Sequence, residues 1–240
     1  MAARHEGAAL PGFPGDLPET LEQAYAVQQR SMQVWPDDVM GWKVGGVPAA
    51  YLDRFSQSRL VGPIFSRKIV HAPCDQETDM PVLPGFAAVE GEFVFCLGET
   101  EADDRLHIGI EVASSPLPAI NDIGPVAVIC DFGNNNGLVV GPEIPDWRNL
   151  NPEPFTIKTH IDGELIGTKE ITDFPGDALV ALRFLREHCA QYNIPLPAGT
   201  YCSSGAITGV HESQAGSRSV ADFGPFGRLL LSFSAAKPAA

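Results

Sequence analysis

Two apolar runs in this chain carry acids at positions where acids are expensive to bury. AVEGEFVFCL places Glu90 and Glu92 two residues apart, and IGIEVAS sets Glu111 between Ile110 and Val112. Side chains at i and i+2 of a strand share a face. Glu90 and Glu92 therefore point one way, while Val89, Gly91, Phe93 and Phe95 point the other. Spacing alone is met most simply if the pair lines the solvent face of an amphipathic strand. Glu111 is harder to place so blandly, because an unpaired buried carboxylate costs several kcal/mol.

If the two strands are neighbours, the three carboxylates converge. Two like charges ~4 Å apart repel by roughly 4 kcal/mol at an effective dielectric of about 20. Such a cluster needs a proton or a cation. An all-oxygen ligand set suits Mg²⁺ or Mn²⁺ better than Zn²⁺.

The rest of the chain reads as mixed α and β. Residues 1–19 form a Gly- and Pro-rich irregular arm, and Thr20 to Gln23 is a capping box that opens a helix. A short helix is expected somewhere in residues 48–64, before a GPIF turn. Strands are expected at 89–97, 107–113, 126–130 and 138–140. Asp162-Gly163, between alternating residues, marks a type I′ hairpin. A helix over 176–191 carries a stripe of Leu179, Leu182, Phe184, Leu185 and Cys189. Strands at 200–208 and 229–234 complete one mixed sheet. A single folded domain over 20–234 is therefore expected, with a frayed tail at 235–240.

Composition narrows the function. With 16 basic and 30 acidic residues the formal charge is -14, which argues against nucleic acid or an anionic membrane as a partner. An acidic protein that binds an acidic substrate must neutralise charge locally, and a metal ion does so. The five cysteines show no zinc-like spacing and read as reduced thiols. Neither a signal peptide nor an apolar stretch of ~20 residues is present in the sequence, so a cytoplasmic protein is expected. It has no dinucleotide-binding glycine fingerprint, P-loop or GxSxG elbow.

Other candidates are weaker. Lys43 lies in GWKVGG, whose glycines would let it approach a ligand, and desolvation would lower its pKa. The simpler alternative is a surface lysine beside a turn. ICDFGNNNGLVVG reads first as a turn with left-handed positions. The sharper reading places Asp131 or Asn135 behind a metal ligand. SSGAITGV offers the hydroxyls of Ser203, Ser204 and Thr208, and its glycine backbone, to a substrate carboxylate, or is a closely packed strand. His211-Glu212 and His5-Glu6 carry no persuasive pairing.

In this order, LEQAYAVQ, GWKVGG, GPIF, AVEGEFVF, IGIEVASS, AINDIGPVAVICDFGNNNGLVVG and GAITGV resemble the 2-keto-4-pentenoate hydratase branch of the fumarylacetoacetate hydrolase superfamily. The resemblance implies an α+β fold, a mixed β-roll with flanking helices. It implies Mg²⁺ or Mn²⁺ held by Glu90, Glu92 and Glu111, with Lys43 beside the substrate and Thr208 in a substrate-lining segment. It further implies a homo-oligomer that hydrates a 2-hydroxy-2,4-dienoate to a 4-hydroxy-2-oxo acid, as in aromatic catabolism. A 2-oxo-enedioate decarboxylase is the near alternative, and an acylpyruvate-type hydrolase a more distant one. The sequence departs from relatives in a short connection between Glu92 and Glu111, and in Pro116 where many have arginine.

Overall fold

The computed structural model describes residues 1–238. The chain opens with a short helix, α1 (Ala2–Glu6), and α2 (Leu21–Val34) follows its cap Thr20. Thr20 Oγ1 accepts the Gln23 N–H at 3.2 Å, whereas Gln23 Oε1 takes the N–H of Glu19 at 2.8 Å. The capping box therefore closes one residue early. Next come β1 (Val39–Gly46), β2 (Arg59–Phe65), β3 (Ile69–His71) and β4 (Glu77–Val82). A long hairpin, β5 (Phe86–Cys96) and β6 (Arg105–Ser115), forms the centre. Helices α3 (Ile120–Ile123) and α4 (Pro125–Cys130) lead to β7 (Asn135–Glu143), followed by the hairpin β8 (Phe155–Ile161) and β9 (Glu164–Ile171). Helix α5 (Asp177–Gln191) and strands β10 (Tyr201–Ser203), β11 (His211–Glu212), β12 (Arg218–Asp222) and β13 (Arg228–Ala235) complete the order.

The strands make two sheets rather than the single one expected. The larger has the order β2-β1-β10-β5-β6-β7-β3, with β11 added to β5; the smaller runs β4-β13-β12-β8-β9. The smaller sheet covers the outer face of the central hairpin. Phe93 packs on Phe223, and a methyl placed on Gly91 would meet the side chains of Ala221 and Phe223. The inner face carries the glutamates of β5 and β6 and a small apolar cluster of Ile64, Val94, Leu138 and Val140. The larger sheet curls, bringing edge strand β2 back against the segment that precedes β7. Gly62 makes this possible: a Cβ there would lie 2.4 Å from the Phe132 carbonyl oxygen and 2.7 Å from Gly133 Cα.

Several local expectations are corrected. Residues 126–130, a β-branched run, are helical because Gly124 precedes Pro125 at the first helical position, where proline's missing N–H costs nothing. GPIF lies inside β2, not in a turn, and the only helix in residues 48–64 is a single 3₁₀ turn, Ala49–Tyr51. The strand expected over 200–208 is confined to β10, and the remainder is loop. In α5 the buried stripe is Ala178, Ala181, Leu182, Leu185, His188 and Cys189, with Leu179 exposed. The arm is not wholly irregular, since α1 is helical and Leu10 N–H bonds Pro116 O at 2.8 Å. Ala236 N–H bonds Val82 O, and residues 239–240 of the expected tail lie outside the described residues. Asp162 and Gly163 both have positive φ, 50° and 86°, as the I′ hairpin requires. No helix among the described residues is long and apolar enough to cross a membrane.

Replacing Gly62 by alanine should lower stability by about 1–3 kcal/mol through overpacking. Thermal unfolding of Gly62→Ala checks this, and an unchanged melting temperature would mean that β2 does not close on the Phe132 turn.

Candidate metal centre

The site grows from the pairing of β5 with β6. Glu90 stands directly opposite Glu111, and Glu92 opposite Gly109. All three carboxylates therefore enter the lumen of the curled sheet, where one oxygen from each lies within 4.8 Å of the others. Relative exposures are 4% for Glu90 and 0% for Glu92 and Glu111, so these are not surface acids. The solvent-face alternative is excluded by burial.

One cation faces them. Lys43, from β1, is 5% exposed and places Nζ 3.2 Å from Glu111 Oε2 and 3.3 Å from Asn134 Oδ1. The contact with Glu111 is an ion pair rather than an aligned hydrogen bond, since Glu111 Oε2 accepts none. Two adjacent residues, the last of the turn and the first of β7, reach the site: Asn134 on Lys43, and Asn135, whose Nδ2 donates to Glu111 Oε1 at 2.9 Å. Glu92 Oε2 accepts the Gly205 N–H at 2.9 Å and the Ser203 hydroxyl. The register of β10 on β5 and β1, with Ser203 opposite both Val94 and Lys43, puts that hydroxyl on the inner face.

Two other candidates lie elsewhere. Thr208 Oγ1 shares hydrogen bonds with Thr159 Oγ1 at 2.7 Å and His211 Nε2 at 3.0 Å. Thr159 belongs to the layer that meets Gly91 on the outer face of β5, so the Thr208 hydroxyl is engaged on the side opposite the carboxylates. Asp131 also does not touch the cluster; its carboxylate takes Arg4 and the Ser115 hydroxyl. Sequence reasoning offered Ser203 and the glycine backbone beside it only to a substrate carboxylate, not to Glu92, and missed Asn134 as a partner of the cluster. Their roles depend on strand register and turn geometry, which no local motif encodes.

The electrostatics follow from burial. Glu90 is pushed up to about 7, chiefly by desolvation, with Lys43 pulling it down and Glu111 pushing it further up. Glu92 stands well above the usual carboxylate range: burial, then Glu111 and Glu90, raise it against the Ser203 hydrogen bond and Lys43. For Lys43, burial would lower the ammonium, as expected from sequence. The attraction of Glu111, then Glu90 and Glu92, outweighs burial and holds it above the ordinary lysine value.

These residues fit a divalent cation. Glu92 Oε1 is buried with no partner, and Glu111 Oε2 has only the Lys43 ammonium beside it, so lone pairs in the lumen go unmatched at considerable cost. Ligand oxygens around a shared Mg²⁺, Mn²⁺ or Ca²⁺ at about 2.0–2.6 Å are themselves about 3–5 Å apart, the spacing seen. Three ionised carboxylates exceed the single lysine by two charges, which one divalent ion offsets.

No protein-family model matches the sequence, and no curated protein matches it. Solved structures do match in fold. The chain is similar to a 4-oxalocrotonate decarboxylase from Pseudomonas putida G7, complexed with magnesium and adipate, with a TM-score of 0.76 and 18% identity over 96% of this chain and 93% of that one. It is also similar to a fumarylpyruvate hydrolase from Pseudomonas aeruginosa in complex with Mn²⁺ and pyruvate, with a TM-score of 0.59 and 16% identity over 81% and 89%. A 5-carboxymethyl-2-hydroxymuconate delta-isomerase from Mycobacterium smegmatis matches at a TM-score of 0.53 and 14% identity, over 83% and 81%. The α+β fold of the fumarylacetoacetate hydrolase type is thereby shown. A decarboxylase, a hydrolase and an isomerase share it, so the likeness carries the fold and not the reaction.

A pH dependence follows. Glu90 ionises near 4.5 when exposed and near 7 in the folded protein, so between those values the native state holds a proton that the unfolded chain has lost. Stability of the metal-free protein therefore falls as pH rises through that window. Mg²⁺ should raise the melting temperature more at pH 8 than at pH 5.5, and Glu90→Gln should flatten the difference. An equal Mg²⁺ effect at both pH values in the wild type would show that protons and metal do not compete for the cluster.

Proposed function

We propose that this protein is a divalent-metal-dependent enzyme that acts on small 2-oxo acids, and that its reaction is the hydration of a 2-hydroxy-2,4-dienoate. The observation that carries the reading is the convergence of three buried carboxylates, two with unsatisfied oxygens, beside one buried lysine. Magnesium with adipate, and Mn²⁺ with pyruvate, in structures of the same fold support the metal and the acid substrate class.

Glu90, Glu92 and Glu111 would hold the cation. Such an ion supplies Lewis acidity, offsetting negative charge on a 2-oxo or 2-hydroxyl oxygen and on the substrate carboxylate. Ser203 and the Gly205 N–H fix the orientation of Glu92, and Asn135 fixes that of Glu111. Lys43 carries its proton at Nζ against the cluster, placed by Asn134. In the proposed reaction the 2-hydroxyl proton leaves and C5 takes a proton. Water oxygen then bonds to C4 as C3 is protonated, giving a 4-hydroxy-2-oxo acid. Lys43 is the proton carrier in this sequence.

Decarboxylation of a 2-oxo-enedioate is the second reading. It is favoured by the extent of the likeness to the 4-oxalocrotonate decarboxylase, which spans nearly the whole of both chains. The same cluster serves it, because negative charge again develops on the 2-oxo oxygen as CO₂ departs.

Incubation with Mg²⁺ and a panel of 2-hydroxydienoates and 2-oxo-enedioates separates the two by product, a hydrated acid or CO₂. Turnover should vanish with EDTA and fall by at least about 10³-fold in Glu111→Gln and Glu90→Gln, in keeping with loss of a major charge-stabilising contribution. EDTA-resistant turnover, or a Glu111→Gln variant within tenfold of wild type, would overturn the metal reading.

A further inference from the structure

The turn that delivers Asn134 and Asn135 to the site is held in an unfavourable backbone conformation. Phe132, Gly133 and Asn134 have φ of 59°, 68° and 53°, three left-handed residues in succession. Phe132 there costs about 1–2 kcal/mol, and Asn134 less, since asparagine tolerates the left-handed region better. The turn is also crowded: a Cβ on Gly133 would lie 2.9 Å from both Gly62 Cα and Lys43 Cδ. Local preference does not hold such a turn, so a restraint from outside must.

Arg4 of α1 supplies one. Its side chain is 5% exposed. Nε and Nη2 donate to the two carboxylate oxygens of Asp131 at 2.6 and 2.9 Å, and Nη2 also reaches Asp131 O at 3.2 Å. Nη1 donates to Asn135 O at 3.1 Å, and Nη2 to Ser114 O at 2.8 Å. Asp131 immediately precedes the left-handed residues and Asn135 immediately follows them. One planar guanidinium thus spans both ends of the turn, a geometry that lysine cannot reproduce. The Phe132 ring lies 5.7 Å from the Arg4 Cζ, under the same group.

We infer that Arg4 is a positioning residue for the metal centre. By clamping Asp131 to Asn135, it sets the two amides that orient Glu111 and Lys43. The inference rests on the metal reading of the three glutamates. It also gives Asp131 a function, as the anionic half of the clamp, and explains why a helix as short as α1 is seated against the roll.

Mn²⁺ binding to the full chain, measured by calorimetry, tests it without reference to any reaction. Arg4→Met should weaken Mn²⁺ binding at least tenfold, in the range of about 10–100-fold seen when the outer partners of metal ligands are lost. Arg4→Lys should fall between it and wild type. Arg186→Met, which removes the remote contact with Asp104, should lower the melting temperature with metal affinity unchanged, separating positioning from general destabilisation. If Arg4→Met does not fold, Asp131→Asn reads the clamp from its other side. A folded Arg4→Met or Asp131→Asn variant that binds Mn²⁺ within twofold of wild type would overturn the inference. Absence of Mn²⁺ binding to the wild type would bring down the metal reading itself, and the clamp with it.

Discussion

Three carboxylates and one ammonium, all buried on the inner face of a curled sheet, set the terms for the rest of this molecule. Net charge in a low-dielectric lumen is tolerated only with close partners, and the surroundings of Glu90, Glu92 and Glu111 are arranged accordingly. Lys43, Asn135, Ser203 and the Gly205 N–H each take a carboxylate oxygen. Glu92 Oε1 is left with no partner and Glu111 Oε2 with the Lys43 ammonium alone, which defines where further positive charge is wanted. The acid-rich composition of the chain is irrelevant to this balance; position decides it.

The partners arrive from distant parts of the chain, and backbone geometry makes their approach possible. Gly62 allows β2 to close on the Phe132 turn, and Gly109 leaves room opposite Glu92, where a Cβ would sit 2.4 Å from Val94 Cγ2. The left-handed turn then redirects the chain so that consecutive asparagines meet different partners, one the lysine and one the glutamate. Small residues and unusual φ values here serve the placement of charge rather than flexibility.

Much of this was legible in the sequence. Alternation fixed the shared face of Glu90 and Glu92, and Asp162-Gly163 announced its hairpin. Ordered motifs brought the fold and the three glutamates together. What escaped was non-local. The run at 126–130 has strand-like side chains, but Gly124-Pro125 starts a helix that packs against α2, so tertiary context overrode propensity. Thr208 sits in a segment that the sequence resemblance assigned to the substrate, yet its hydroxyl bonds Thr159 and His211 on the far face. Arg4 is 127 positions from Asp131, beyond the reach of any periodicity or spacing argument.

The hairpin of β5 and β6 has a further consequence for how the sheet is held together. Glu90 and Glu111 are directly cross-strand partners in the ladder, and like charges so placed oppose pairing. The longest pairing of the larger sheet is therefore also the one that its own ionised side chains resist. In the folded protein Lys43, Asn135 and Ser203 offset that repulsion from three separate parts of the chain, so the pairing at the heart of the sheet leans on contacts that lie outside the hairpin itself.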